Sequence, residues 1–233
     1  MGYIPIFLDV TGRDCIVVGG GEVAARKAES ILEAGARVNI VSASLSASMQ
    51  AIVARERVNH IARNYQRGDM RGCVLAYAAT DDPKLHRELA AEARALGIPI
   101  NVADEPELCT FIAPAVMKRG ALQVAISTAG ASPAFAARIR RSLEPQFGTE
   151  YALTLEVLRA ARRRLRADEI EPAERMRRLK DLANSALPDA IARGDLAAVE
   201  RILATHLGDG VGLARIGIVP AALGLGPAME IPD

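Results

Sequence analysis

Residues 15–27 read Cys-Ile-Val-Val-Gly-Gly-Gly-Glu-Val-Ala-Ala-Arg-Lys. An apolar run suited to a strand buried on both faces leads into three glycines and then into a helical pattern. Gly19, Gly21 and Ala24 fit the spacing G-x-G-x-x-G/A, which suits a dinucleotide pyrophosphate. Gly19 permits the tight turn, with Gly20 beside it. Gly21 lets the backbone approach the phosphates, and Ala24 lets the helix pack close to its strand. The first helical N–H groups then face the anion, with the helix dipole behind them. One usual part is missing. NAD sites commonly place an acid at the end of the second strand to hold the adenosine ribose. Here Val41-Ser42-Ala43-Ser44 stands there, and Asp and Glu are absent from Gly35 to Arg55. Ser42 or Ser44 is left as a weaker ribose partner. Arg37 lies at the wrong end of the strand for a 2′-phosphate. The residues alone leave NAD and NADP both open.

Other reactive side chains are sparse. Cys15 and Cys73 each open an apolar strand and read as reduced core thiols. Cys109 sits in a polar loop and reads as a packed thiol, with a site-lining role as the alternative. His60, His86 and His206 show no metal-ligand spacing, so no permanently bound metal is expected. The basic run Arg159 to Arg166 reads as a solvated helix face, with Leu155, Leu158 and Leu165 marking its buried side.

The elements that must position these residues alternate through the first half. Ala24, Ala28, Ile31 and Leu32 share a helical face, and Gly35 sits where a C-terminal cap belongs. A second strand runs from Arg37 to Val41, a helix lies near residues 46–56, and Asn59–Arg63 reads as a short strand. A strong apolar strand over Cys73–Ala78 ends in Ala79-Thr80-Asp81-Asp82-Pro83. Pro83 suits a first helical turn; that helix stops at Gly97, and Ile98–Val102 is the next strand. Such alternation predicts a parallel sheet with right-handed crossovers, with ligands at the carboxyl ends of its strands. Three loops land on that edge: Gly19–Val23, Thr80–Pro83 and Asn101–Glu107. After Phe111 the pattern changes. Phe111–Met117 and Leu122–Thr128 read as two strands around a Lys118-Arg119-Gly120 turn, and Ser132-Pro133 opens a helix. Residues 150–206 are helical in pattern, with breaks near 170–172, Pro188 and Gly194. The Gly- and Pro-rich residues 209–233 are expected to be loosely ordered.

Half of the 233 residues are apolar, enough for a sizeable core, and 3% aromatics make that core aliphatic. A formal charge of +1 argues against nucleic-acid binding by bulk electrostatics. No stretch reaches the ~18 apolar residues of a membrane span. The first residues lack a basic and apolar leader pattern. A cytoplasmic protein without a membrane partner is expected.

These pieces together resemble the precorrin-2 dehydrogenase and sirohydrochlorin ferrochelatase family, the siroheme synthase N-terminal module. Ile4-Pro5-Ile6-Phe7 resembles the family's opening strand, and residues 17–27 its glycine loop with the Arg26-Lys27 pair. Residues 78–82 resemble the loop after the fourth strand. Asn101-Val102-Ala103-Asp104 followed by Phe111-Ile112-Ala113-Pro114 resembles the active-site segment. Residues 126–133 resemble the strand–loop–helix that begins the dimerisation region. The resemblance is strong over residues 3–150 and holds only in kind for the helical tail. With no methyltransferase segment following, it points to the stand-alone form.

The resemblance implies a Rossmann-like α/β domain (1–113), a small α+β dimerisation segment (114–149) and an all-helical domain (150–208). It implies a homodimer that oxidises precorrin-2 to sirohydrochlorin with NAD, then inserts ferrous iron to give siroheme. It places the adenosine end of NAD on Glu22, Val23, Ala43 and Ser44, and Thr80 and Asp81 lie on the same edge. It implicates Asp104 in both steps, with iron passing near it transiently. The residue chemistry agrees, because macrocycle oxidation and metal insertion both release protons and need a nearby base. The family's serine near the substrate is represented by Ser127 and Thr128. A tetrapyrrole carries many carboxylates, whose partners should be backbone N–H groups and basic side chains. Asn101, Ser132, Lys118, Arg119 and Arg138 are the candidates. Three other readings stand beside this one: a dehydrogenase of this family without chelatase activity, a different dehydrogenase, and a nucleotide-sensing regulatory module. The sensor also opens on a glycine loop, but typically carries an acid after its second strand and lacks the Asn-Val-x-Asp segment.

Overall fold

A computed structural model describes residues 2–168 and 170–225 of the chain. The chain divides into two compact units. One comprises residues up to Ala113 together with Ala129–Ala131; the other comprises Pro114–Thr128 and the residues from Ser132 onward.

The first unit is built on five parallel strands: β1 (Asp14–Val18), β2 (Arg37–Val41), β3 (Val58–Ile61), β4 (Leu75–Ala78) and β5 (Ile100–Val102). Their order is β3-β2-β1-β4-β5, a Rossmann-like sheet whose direction of winding reverses between β1 and β4. Three helices cross between strands: α1 (Glu22–Glu33), α2 (Ala47–Val53) and α3 (Pro83–Leu96). The continuous apolar reading of β1 has a simple cause. Cys15 and Val17 enter the core under α1, whereas Ile16 and Val18 enter the core that holds Leu89, Ala90 and Ala93 of α3. Two helix ends follow the expected chemistry. Past α1, Gly35 adopts φ +87°, while Gly35 N–H and Ala36 N–H donate to the Leu32 and Ile31 carbonyls. At α3, the Asp82 side chain accepts from Lys84 N–H, Pro83 fills the first turn, and Gly97 ends the helix at φ +67°.

One expectation fails here. Residues 4–7 form no strand, and Ile4, Ile6 and Phe7 are 84%, 72% and 70% exposed. Pro5 removes a ladder donor from this segment, and the sheet is complete without it.

The second unit opens with an antiparallel pair, β6 (Ala115–Arg119) and β7 (Leu122–Ile126). The turn lies one residue later than the sequence suggests. Lys118 and Arg119 are strand residues, with Arg119 opposite Leu122, so Gly120 and Ala121 alone make the connection. Gly120 takes φ +55°, as a tight hairpin of this length requires. Helix α4 (Pro133–Leu143) follows, and then α5 (Thr149–Ala167), α6 (Pro172–Ala183), α7 (Leu187–Ala192) and α8 (Leu196–Leu207). Pro188 does not break a helix; it sits in the first turn of α7, and the break precedes it. Val157, Ala160, Ala161 and Leu165 face the helical core, while Arg159, Arg162, Arg163 and Arg166 are exposed. Leu155 and Leu158 are only half-buried. The expected loose ordering does not describe residues 209–225. Leu213, Ile216, Leu223 and Leu225 are buried in the same core, which repays the ordering of a glycine-rich stretch. Residues 226–233 lie outside the described residues. Among the described residues, no helix is long and apolar enough to cross a membrane.

Candidate functional site

All nine residues expected to hold a dinucleotide line one cavity of about 830 Å³ at the carboxyl edge of the sheet. Gly19, Gly20, Gly21, Glu22 and Val23 form one wall. Ala43 and Ser44 form the second, and Thr80 and Asp81 the third. The three glycines differ in what demands them. Gly19 takes φ +123°, and a Cβ there would overlap the Ala79 carbonyl. Gly20 takes an ordinary φ, but a Cβ would overlap the Ser44 carbonyl oxygen and lie 2.6 Å from Ser42 Oγ. The two loops are locked at this point: Ser46 N–H donates to the Gly20 carbonyl at 2.8 Å, and Ser42 Oγ donates to the Ser44 carbonyl at 2.7 Å. Gly21 is the N-cap of α1, in extended backbone at φ −82° and ψ −177°, and a Cβ there would meet no protein atom within 4 Å. No clash within the protein gives a reason for glycine at Gly21 stronger than its ordinary preference for an N-cap. A phosphate cradle supplies a stronger one, so these residues fit a bound pyrophosphate.

The acid absent from the end of β2 has a counterpart on α1. The Ser48 and Ser46 hydroxyls hold the Glu22 carboxyl below the usual glutamate range. Glu22, Ser42, Ser44 and Ser46 thus line the same side of the cavity. The residue pattern put Glu22 on the ligand edge within the Gly19–Val23 loop, and the family resemblance alone gave it the adenosine end. The serine partnership that lowers its pKa depends on α2 starting at Ala47 with Ser46 as its cap.

Asp104 does not line this cavity. It is exposed, on a loop just beyond β5, in left-handed backbone at φ +60°. Aspartate tolerates that region better than most residues, at some cost. The loop is braced on both flanks. Cys109 Sγ accepts from Val102 N–H at 3.1 Å and donates to the Val102 carbonyl at 3.3 Å. Thr110 Oγ1 accepts from Ile100 N–H at 2.8 Å. Between them, Glu105 Oε1 lies 2.7 Å from Nδ1 of buried His86 on α3. Cys109 is a packed thiol whose pKa is raised by burial. Thr110 and the His86–Glu105 pair were not legible as parts of the site, because their partners are brought together only by the fold. Asn101 is also committed inward. Its amide donates to the Phe111 carbonyl at 3.2 Å and to Cys109 Sγ at 3.5 Å, so it ties the loop down.

In the second unit, the expected substrate residues fall into two groups. Thr128 Oγ1 accepts from Ser132 N–H and donates to the Ser132 carbonyl, both at 3.1 Å. Ser132 Oγ in turn caps α4 by accepting from Phe135 N–H at 3.2 Å. A threonine thus serves this latch, and both hydroxyls are engaged. Arg119 is engaged as well, donating to the Phe147, Glu144 and Lys118 carbonyls at 2.8, 3.2 and 2.9 Å. Arg119 clamps the hairpin to the segment after α4 and is not available as a carboxylate ligand. Lys118 and Ser127 lie on and beside this hairpin. The Arg138 guanidinium stacks over the Phe135 ring at 5.6 Å and forms no ion pair among the described residues.

Comparison with known proteins supplies independent information. A family model described as "Putative NAD(P)-binding" matches residues 6–115, and one described as "Sirohaem biosynthesis protein central" matches residues 119–146. A siroheme synthase from Pseudomonas aeruginosa (strain LESB58) is 38% identical over 229 residues, covering 97% of this chain and 49% of that protein. One from Stutzerimonas stutzeri (strain A1501) is 36% identical over 224 residues, covering 96% of this chain and 46% of that protein. The chain thus spans about half the length of the curated relatives it matches. The solved structure of SirC, a precorrin-2 dehydrogenase, superposes with a TM-score of 0.66 at 24% identity, over 82% of this chain and 94% of that one.

Proposed function

The chain belongs to the siroheme synthase family, and from that premise we propose that it oxidises precorrin-2 to sirohydrochlorin with NAD and then inserts ferrous iron. The observation that carries the reading is the gathering of all nine expected residues around one cavity, with Gly21 facing open space in it. NAD, when bound, supplies the hydride acceptor. The chain's own groups hold and orient it. The α1 N-terminus would hold the pyrophosphate, and Glu22 with Ser44 would hold the adenosine ribose. A carboxylate there opposes a 2′-phosphate, which supports NAD over NADP.

Oxidation removes a hydride and a proton from the macrocycle. Asp104, held on its braced turn beyond β5, takes the proton. Iron insertion displaces two pyrrole N–H protons, and the same exposed carboxylate serves as their acceptor while ferrous ion enters as substrate. Residues 111–147 pair two copies of the chain, with exposed Phe135 of α4 among the apolar groups this would cover. A soluble cytoplasmic setting is consistent with this chemistry.

The test is to give purified protein precorrin-2 with NAD, then ferrous or cobaltous ion, and to follow absorbance through each step. Oxidation without metallation would leave a dehydrogenase alone. NAD binding with no precorrin-2 turnover would favour the nucleotide-sensing alternative.

A further inference from the structure

Lys27 is a cation for which the mechanism above has no use. It lies on α1 between Ala24 and Ala28, which are fully buried against the sheet. Its own side chain is half-buried, and its Nζ stands 5.3 Å from the centroid of the Tyr77 ring. Tyr77 pairs with Val17 on one side and Asn101 on the other, so these three side chains share the sheet face that α1 covers. Phe111 packs edge-on against Tyr77 at 5.5 Å, which places the loop that carries Asp104 at the same face. Among the described residues, Lys27 forms no hydrogen bond and no ion pair. Burial, with Arg26 alongside, lowers its pKa, and Asp104 and Cys109 act on it electrostatically in the opposite sense.

A half-buried ammonium without an acceptor is costly, and a ring face offsets only part of that cost. An anionic partner would meet that cost, and among the described residues no protein group supplies one at bonding distance. We infer that Lys27 is a substrate anchor: it binds one peripheral carboxylate of the tetrapyrrole on the Asp104 side of the sheet, through a charge-assisted hydrogen bond. This inference rests on the proposed function. It adds a recognition residue in the first unit, outside the glycine cavity.

The experiment compares Lys27→Met, Lys27→Gln and Lys27→Arg in the full chain, using sirohydrochlorin as the binding probe. A charge-assisted hydrogen bond lost at a half-buried site should weaken sirohydrochlorin binding about 10- to 100-fold in Lys27→Met and Lys27→Gln. Lys27→Arg should recover most of it. The same loss should appear in KM for precorrin-2, with kcat at saturation within about threefold. NAD affinity, which reports the fold of α1 and its loop, should not change. Esterified sirohydrochlorin should bind parent and Lys27→Met alike. Unchanged sirohydrochlorin affinity in both neutral variants overturns the anchor and leaves the functional reading intact. So does a loss confined to kcat, which would assign Lys27 to the chemistry. A parallel loss of NAD affinity overturns it too, because the lysine would then be structural or a cofactor ligand. A parent protein that binds no sirohydrochlorin overturns the functional reading and the anchor together.

Discussion

Replacing Gly21 by alanine should separate the needs of the fold from the needs of a ligand. The backbone at Gly21 is extended and open to any residue, and its new Cβ would meet no protein atom within 4 Å. The fold should change little: alanine restricts the unfolded chain more than glycine does, worth about 0.4–1 kcal/mol, and its poorer fit to the N-cap position of α1 offsets a gain of about that size. Dinucleotide binding should suffer. If the methyl pushes the pyrophosphate off the α1 N-terminus and two charge-assisted hydrogen bonds are lost, at about 1.5–3 kcal/mol each, affinity falls by roughly 10²–10⁴. Gly20→Ala is the opposite control. Its Cβ would overlap the Ser44 carbonyl and crowd Ser42 Oγ, both parts of a backbone-locked loop, so overpacking should cost about 1–3 kcal/mol. Titration calorimetry with NAD and thermal melts of the three proteins give both numbers. A Gly21→Ala protein that binds NAD like the parent would refute the path drawn for the pyrophosphate. A Gly21→Ala protein that melts low would refute the claim that the fold leaves this position free.

Asp104→Asn is the matching probe of chemistry. Asparagine tolerates left-handed backbone as aspartate does, so folding and NAD affinity should hold while precorrin-2 oxidation falls about 10²–10⁴. A near-parental rate would remove Asp104 as the base, misfolding would make it structural, and loss of iron insertion alone would confine it to metallation. In the helical unit, Arg177 and Arg178 bring the Glu174 carboxyl down to about 2 from an ordinary 4.5. A depressed folded-state pKa means stability that is present above about 4.5 and drains away as pH falls toward 2; Glu174→Gln should flatten that acid limb of the melting curve. Sedimentation should find a dimer, and Phe135→Asp should shift it toward monomer if α4 lies in the interface; a concentration-independent monomeric parent would count against the pairing proposed for residues 111–147.

The first unit was legible because two periodicities and a few punctuating residues coincide. The apolar run of β1, the stops at Gly35 and Gly97, and Pro83 all depend on neighbours in the chain, so sequence order suffices to read them. What was missed depends on partners far along the chain. Gly20 is constrained by Ser44 and Ser42, Asp104's loop is tied by His86, and Glu22 draws its serine partners from the cap of another helix. The misplaced hairpin turn shows a different limit. Two basic residues before a glycine look like a solvated turn, yet Arg119 stays in the strand and reaches back to three carbonyls. The helical tail shows a third. Glycine and proline suggested looseness, but the leucines and isoleucine between them are spaced to fill the core beneath α5 and α8.

The bracing around Asp104 has a consequence for how activity should respond to temperature. Thiol, hydroxyl and imidazole ties join residues 100, 102, 105, 109 and 110 to β5 and α3 before any substrate arrives. The entropy of locating a carboxylate is thus spent in folding and is not charged again at each turnover. A preorganised base of this kind has little left to gain from flexibility as the protein warms. Its rate should climb smoothly with temperature until the ties let go, and then fail abruptly, with hydrogen exchange at the Val102 and Ile100 amides rising at the same temperature.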